Sequence, residues 1–348
     1  MGHTADSSIA IGHLIAQIEK TTSPVSTNPI KRIGNNRTYT IESRCNRYFA
    51  KQFFQNEGDK RDRFNAELAF GQYAEKAAPG FTPHILISDA ENRVIIYEFI
   101  NGKALHKNQI GEKEVMQAAT FFRALNNKTS LKFTDTLLPA SEACFSIGDH
   151  ITLINNRIEE IGLIKPESAE DKDAILLVEK IRRTWNRLVV EIHSACSSEG
   201  LDLNDELITE CRVISTSDFG FHNALINEEG KLTFLDFEYA GWDDPAKMLG
   251  DFFGQIQIPV PEIFFDYFIR LTFSDLPSAE YLIKRAKILY PAFRMKWACI
   301  AMNVFLPVHL NRRKFSDPGL DVSELKRTQL IKANDILTFF ETRTNVIH

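Results

Sequence analysis

The stretch Ser215–Asp251 limits the possible folds more than any other part of this 348-residue chain, and it reads STSDFGFHNALINEEGKLTFLDFEYAGWDDPAKMLGD. Two apolar runs, Ala224–Ile226 and Leu232–Leu235, flank a polar turn, Asn227–Lys231, that contains Gly230. That alternation predicts a short β-hairpin. The hairpin sets Asn223 and Asp236 side by side at one end, with Asp218 on the loop that leads in. An acid, an amide five residues on and a second acid after the next strand form an oxygen-donor set suited to phosphoryl transfer from Mg²⁺·ATP. One carboxylate orients the attacking hydroxyl or takes its proton. The amide oxygen and the other carboxylate hold the metal.

Protein kinases use the same D-x-x-x-x-N spacing with a later metal-binding Asp. An Asp and an Asn in a turn are by themselves ordinary turn formers, so the surrounding residues decide. SDFGFHNALI followed by FLDFEYAGWDDP resembles the aminoglycoside phosphotransferase and choline kinase group, with matches at Asp218, Asn223 and Asp236. The resemblance implies an α+β, protein-kinase-like bilobal fold, with a small β-rich N-lobe and a larger, mainly helical C-lobe. It implies ATP and Mg²⁺ as cofactors and transfer of the γ-phosphate to a hydroxyl of a small molecule (an amino sugar, sugar or amino alcohol). Asp218 is then the catalytic carboxylate, and Asn223 and Asp236 are the metal ligands. The chain departs from the family pattern in two places. Thr216-Ser217 stand where the family has His-Gly, and Met248 stands where it has a helix Asp, with Asp251 one turn later. Those departures motivate an alternative, a catalytically impaired nucleotide-binding module of pseudokinase type.

Upstream, Ile30–Ile41 reads as strand, turn, strand. Its turn, Gly34-Asn35-Asn36-Arg37, falls where the family has its nucleotide-covering loop; Gly and Asn tolerate positive φ and let backbone amides approach phosphate. Lys51 lies within the apolar run RYFAKQFF. A buried strand seldom keeps an unpaired ammonium, and Glu67, on one helical face with Phe64 and Leu68, is the expected partner. This is the order of the kinase Lys–Glu pair, in which the lysine holds nucleotide phosphates. A hairpin, His84–Ser88 and Arg93–Ile100, follows. The resemblance makes its end the connector between lobes, where the backbone of Glu98, Phe99 and Ile100 meets the adenine edge. The division expected is 1–28 as N-terminal helix and linker, 29–100 as nucleotide-binding N-lobe, and 101–348 as C-lobe, with the catalytic hairpin at 214–238 and the acceptor pocket.

From residue 111 the apolar period becomes helical. Val115/Ala118/Ala119/Phe122/Leu125, Ile151/Ile154/Ile158/Ile161 and Val178/Ile181/Trp185/Leu188/Val189/Ile192 form three stripes, which read as core packing. Asp244-Pro245 reads as the cap and first residue of a helix. Asp251 either braces the catalytic loop or lies on the surface. His222 lacks a second His at ligand spacing and reads as a loop residue that packs or hydrogen-bonds. Arg294 and Lys296 could reach a phosphate or an acidic acceptor but read first as solvated charge, and Trp297 and Phe305 read as core. Tyr239 and Trp242 are the aromatic residues available should the acceptor be a quaternary amine.

Net charge is −5. Lys and Arg number 12 against 11 Asp and Glu in residues 1–100, and 29 against 35 in residues 101–348. No basic nucleic-acid surface is indicated, and an acidic second part suits a neutral or cationic acceptor. The five cysteines (45, 144, 196, 211 and 299) include no C-x-x-C pair, which argues against a disulfide framework or a thiolate metal site and fits a reducing cytoplasm. No apolar run reaches transmembrane length, so no membrane partner is expected. Neither the first residues nor the segment after Asp236 (Phe-Glu-Tyr, with no A-P-E) suggests a signal peptide or a protein-kinase activation segment.

Overall fold

Period-two alternation of apolar residues builds the small lobe. The computed structural model describes residues 3–21, 25–30, 36–44, 46–54 and 61–344, and side chains from residue 9 to residue 341. Helix α1 (His3–Glu19) precedes β1 (Ser26–Ile30), β2 (Arg37–Glu42) and β3 (Arg47–Gln52); α2 (Arg63–Ala77) then leads to β4 (Ile85–Asp89) and β5 (Val94–Glu98). The strands form one antiparallel sheet in the order β1-β2-β3-β5-β4. Side chains on successive strand residues face opposite sides. Tyr48 and Ala50 of β3, with Val94 and Ile96 of β5, therefore meet Ile11, Leu14 and Ile15 of α1. Phe49 of β3, with Ile95 and Tyr97 of β5, takes the other side, together with Phe53 and with Phe64 and Leu68 of α2. Lys51 shares the parity of Phe49 and so faces α2. The turn residues Gly34 and Asn35 lie outside the described residues.

The large lobe opens with β6 (Lys103–Ala104) and continues as α3 (Glu112–Asn126), α4 (Ile147–Ile161) and the long α5 (Ala169–Glu199). All three apolar stripes point into one core, with Val189 alone among their members only partly buried. Next come β7 (Val213–Ser215), β8 (Ala224–Ile226), β9 (Leu232–Phe234), β10 (Gly241–Asp243) and α6 (Pro245–Gly254). Strands β8 and β9 pair antiparallel, Ala224 opposite Phe234, as the sequence pattern requires. Their turn closes through Asn227, whose Oδ1 accepts from the Glu229 and Lys231 amides at 3.0 and 2.8 Å, while Gly230 takes φ +77°. Helices α7 (Phe265–Phe273), α8 (Ala279–Met302), α9 (Pro307–Ser316) and α10 (Val322–Thr344) complete the chain. At Gly250 of α6 a Cβ would come within 2.3 Å of the Phe293 ring of α8, so glycine is what permits that close approach. No described helix is long and apolar enough to cross a membrane. Cys144, Cys196, Cys211 and Cys299 are free thiols.

Candidate active site

The loop between β7 and β8 is held by aromatic side chains that alternate with polar ones. Phe219 and Phe221 are buried; the Phe219 ring stacks on Phe252 of α6 at 4.8 Å between centroids, and Phe221 meets the same ring edge-on at 5.4 Å. Burying each of these two side chains contributes about 2–3 kcal/mol. This anchoring leaves the Asp218 side chain partly exposed, at 30%, while that of His222 packs beside it at 7%. His222 Nε2 lies 3.1 Å from Asp218 Oδ1, and because an ionised carboxylate only accepts, the ring nitrogen is the donor. Asn223 Nδ2 donates to Asp218 O at 3.1 Å and to Asp218 Oδ2 at 3.2 Å. Each carboxylate oxygen of Asp218 thus receives one donor, which fixes the orientation of the group. Both contacts of the Asn223 amide are to acceptors, so its nitrogen faces Asp218 and its Oδ1 is turned away.

Backbone geometry carries the hairpin's other end. Leu235 N–H donates to Asn223 O at 2.8 Å, so Asp236 emerges next to Asn223. Asp236 takes φ +65°, a left-handed conformation uncommon outside glycine. Its carboxylate meets Lys51 Nζ at 2.6 Å, and the Asp236 side chain keeps 39% of its surface exposed. Lys51 Nζ also lies 2.7 Å from Glu67 Oε2 and 3.8 Å from Glu238. Glu67 accepts in addition from the Tyr97 hydroxyl at 2.9 Å and from Phe237 N–H at 3.1 Å. One ammonium therefore serves three carboxylates. Burial pulls the Lys51 pKa down, but Asp236, Glu67 and Glu238 together outweigh burial and raise it, so the amine stays charged. The excess of negative charge acts on the acids as well. Glu67 is pushed up to about 7, first by burial and then, against the pull of Lys51, by Asp236 and Glu238.

Oxygens of Glu67, Asp236 and Glu238 lie within 4.8 Å of one another. That arrangement can hold a cation, and Lys51 already supplies one. The donor set offered to a hard divalent ion is different: the outward Asn223 Oδ1 and the half-open Asp236 carboxylate at the same hairpin end. Oxygen donors of this kind fit Mg²⁺.

Several neighbours of the site were not singled out in the sequence. Glu238 is buried, accepts from Asn36 Nδ2, and has Arg63 NH1 at 4.0 Å. Arg61 donates to three carbonyls, Glu238 O at 2.9 Å, Pro139 O at 2.9 Å and Ala240 O at 2.7 Å. Phe237 packs on Phe70 of α2 at 4.7 Å. The D-F-E run at 236–238 was available as a signal, since a glutamate flanked by aromatics in a buried strand exit needs partners; which partners they are depends on chain folding alone. Ser217 takes φ +64°, and Asp218 N–H donates back to Thr216 O at 2.8 Å, a γ-turn. Lys247 of α6 donates to Ser217 Oγ at 2.7 Å and lies 2.9 Å from Asp243 and 3.1 Å from Asp251. Thr216 Oγ1 is buried with no partner among the described residues.

Asp251 is buried, bonded by Lys247, Lys296 and, at 3.2 Å, by Trp297 Nε1. The bracing reading of Asp251 therefore holds and the surface reading does not. Lys296 is corrected outright: it is 2% exposed and ion-paired, not solvated. Arg294 pairs with Glu262 at 2.9 Å and lies over the Phe339 ring at 3.9 Å. Asp244 caps α6, accepting from Ala246 N–H at 2.7 Å. Trp242 sits in β10 against the core. Tyr239 lines the cavity beside Asp218 and faces Arg63, whose guanidinium lies 5.2 Å from the ring centroid. Glu98 ends β5, and its Oε1 accepts from His84 N–H at 2.9 Å; Phe99 and Ile100 leave the sheet there, Phe99 under the Arg47 guanidinium at 3.8 Å.

No family model matches the chain, and no curated protein matches it. Solved structures do. An ethanolamine kinase from Plasmodium vivax is 17% identical, over 91% of this chain and 83% of that one, with a TM-score of 0.56. Choline kinase LicA from Streptococcus pneumoniae is also 17% identical, over 94% and 99%, at 0.54. A spectinomycin phosphotransferase in its AMP-bound complex is 13% identical, over 91% and 97%, at 0.60. At such identities the likeness speaks for architecture: this chain has the bilobal, protein-kinase-like fold of the choline and ethanolamine kinases and the aminoglycoside phosphotransferases.

Proposed function

We propose that this protein is an ATP- and Mg²⁺-dependent phosphotransferase that moves the γ-phosphate to a hydroxyl of a small molecule. One observation carries the reading. A single hairpin joins Asp218 and Asn223 by direct hydrogen bonds and delivers Asp236 to Lys51 of the opposite lobe. The matched structures, two of them kinases of small alcohols and one an AMP complex, support it.

In this reading Lys51, oriented by Glu67, binds the α- and β-phosphates. The backbone of Glu98, Phe99 and Ile100 meets the adenine, and the turn Gly34-Asn35-Asn36 covers the phosphates. Asn223 Oδ1 and Asp236 hold the metal, which supplies charge neutralisation at the phosphoryl oxygens. Asp218 orients the acceptor hydroxyl and takes its proton as the oxygen attacks the γ-phosphorus; the bond from that phosphorus to the bridging oxygen breaks, and ADP leaves with the electron pair. The γ-turn argues for a working loop. Ser217 adopts the left-handed conformation that the family's glycine would supply, and Lys247 fastens it from α6.

The test is Asp218→Ala. Loss of a positioned proton acceptor costs roughly 10²–10⁴-fold in turnover, whereas nucleotide affinity, read by titrating a fluorescent ATP analogue with Mg²⁺, stays within about threefold. Parallel loss of both would refute the assignment of Asp218 to the acceptor. Stabilisation by ATP with no turnover on any hydroxyl compound would favour the nucleotide-binding module.

A further inference from the structure

A cavity of about 290 Å³ opens beside Asp218 and Ser217, walled by α4, α6, α8, α9 and α10. Neither Lys51 nor Asn223 nor Asp236 lines it, so it lies on the acceptor side of Asp218. Its charged lining is seven cations against three acids. Internal pairing accounts for several of the cations. Arg157 pairs with Glu142, Lys296 with Asp251, and Lys247 is shared by Asp243 and Asp251. Arg313 of α9 and Lys332 of α10 are different: both are half-buried, and neither has a hydrogen bond or ion pair among the described residues. Burial lowers the pKa of each; for Arg313 it outweighs the more distant pull of Tyr239, Asp218 and Glu238, and the Arg313 charge lowers Lys332 further. His309, on the same wall, is pushed down to about 4 by burial and then by Arg312, Arg157 and Arg313. Cations drawn partly out of water with no carboxylate in ion-pair contact are unfavourable, and a ligand anion removes that cost.

We infer that the acceptor is a small hydroxyl compound that also carries an anionic group, a phosphate monoester or a carboxylate, which Arg313 and Lys332 hold while the hydroxyl faces Asp218. The inference rests on the phosphotransferase reading. An ammonium-bearing acceptor would meet like charge along two helices. The excess of acid in the second part of the sequence does not bear on this, because only the residues lining a cavity set its local potential.

The experiment uses the full chain with Mg²⁺ and a non-hydrolysable ATP analogue. Thermal shift is measured with sugar phosphates, sugar acids, the parent neutral sugars, amino sugars and choline. The expected result is stabilisation by one anionic class, with the phosphate and carboxylate arms telling which. Its apparent affinity falls at least tenfold in Arg313→Met and in Lys332→Met, and is partly restored in Arg313→Lys. Stabilisation by neutral or cationic compounds alone overturns the inference, as does unchanged anion affinity in both variants. If the variants instead raise the KM for ATP and not for the acceptor, the cations serve the nucleotide and the inference also falls. ADP release is then assayed with every compound that binds. Anion binding lost in Arg313→Met, with no ADP formed from any of them, refutes phosphotransfer and not the anion site.

Discussion

Ser217 holds a left-handed backbone conformation that glycine adopts more readily. Its φ of +64° costs about 1–2 kcal/mol for a residue with a Cβ. In return its hydroxyl accepts from the buried Lys247 ammonium. Removing that acceptor leaves a charged donor short of one partner, a loss of about 1–3 kcal/mol. Ser217→Ala keeps the strain and loses this bond together with the longer one that the hydroxyl donates to Ser141 O at 3.3 Å, so it is expected to lower the unfolding free energy by at least that amount. Ser217→Gly loses the same bonds but relieves the strain, and is expected to unfold about 1 kcal/mol above the alanine variant. Urea titration of the two variants decides; a glycine variant no more stable than alanine contradicts the strain argument. At this scale the meeting of Asp218, Asn223 and Asp236 at one end of the hairpin was legible from spacing and residue type. Ser217 was noted only as a departure, since neither φ nor a partner 30 positions away is written in the local sequence.

Helix α6 is the element on which the β7–β8 loop leans, and Asp244 starts it. Read as a cap, Asp244 is one, but it is also the acid of a fully buried cluster. Arg285 NH2 donates to Asp244 Oδ2 at 2.6 Å, and His150 Nε2 lies 3.0 Å from the same oxygen. Burial alone would raise the Asp244 pKa; Arg285 and His150 outweigh it and bring the value from 3.8 to about 2. The sign follows from a folded-state pKa below the unfolded one. The stability contributed is present above pH 3.8 and is lost as pH falls through about 2. Asp244→Asn retains a capping oxygen yet leaves Arg285 buried without its anion, an expected loss of about 3–5 kcal/mol near neutral pH. That deficit should shrink as the wild type is taken toward pH 2, when both proteins lack the charge. A deficit independent of pH would mean that packing, and not the ion pair, is what Asp244 supplies. The helical stripes were readable because burial is periodic along a helix. The ion pair was not, because Arg285 lies 41 positions away.

Across the whole molecule, the two lobes meet through charge. Lys51 and Glu67 come from the small lobe, Asp236 and Glu238 from the large one. Arg61 adds its three carbonyl contacts. The end of α9 reaches back to the small lobe, with Phe315 against Phe54 at 4.8 Å and Ser316 Oγ donating to Asn36 O at 3.2 Å. Glu67, held up at about 7 by burial above all, makes this junction sensitive to pH. Its folded-state pKa exceeds the usual 4.5, so the stability it contributes is full below 4.5 and is lost as pH rises through about 7. Glu67→Gln is therefore expected to flatten the stability–pH profile over that window, by up to roughly 3 kcal/mol. Chemical denaturation at pH 4.5 and pH 7.5 measures it; an unchanged slope would place the ionisation elsewhere.

Local sequence determined the elements and the chemical types at the site: the β8–β9 hairpin, the lysine strand, the acidic helix, the apolar stripes, and Asp218, Asn223 and Asp236 in their order. These depend on periodicity and turn chemistry, which act over a few residues. Tertiary structure alone decided that Lys51 is shared by three acids, that Lys247, paired with Asp251, fastens Ser217, and that Arg313 of α9 and Lys332 of α10 line the cavity beside Asp218. Each of these is a long-range electrostatic fact. Charge interacts through space and is weighted by burial, and neither distance nor burial can be read from the order of residues along the chain.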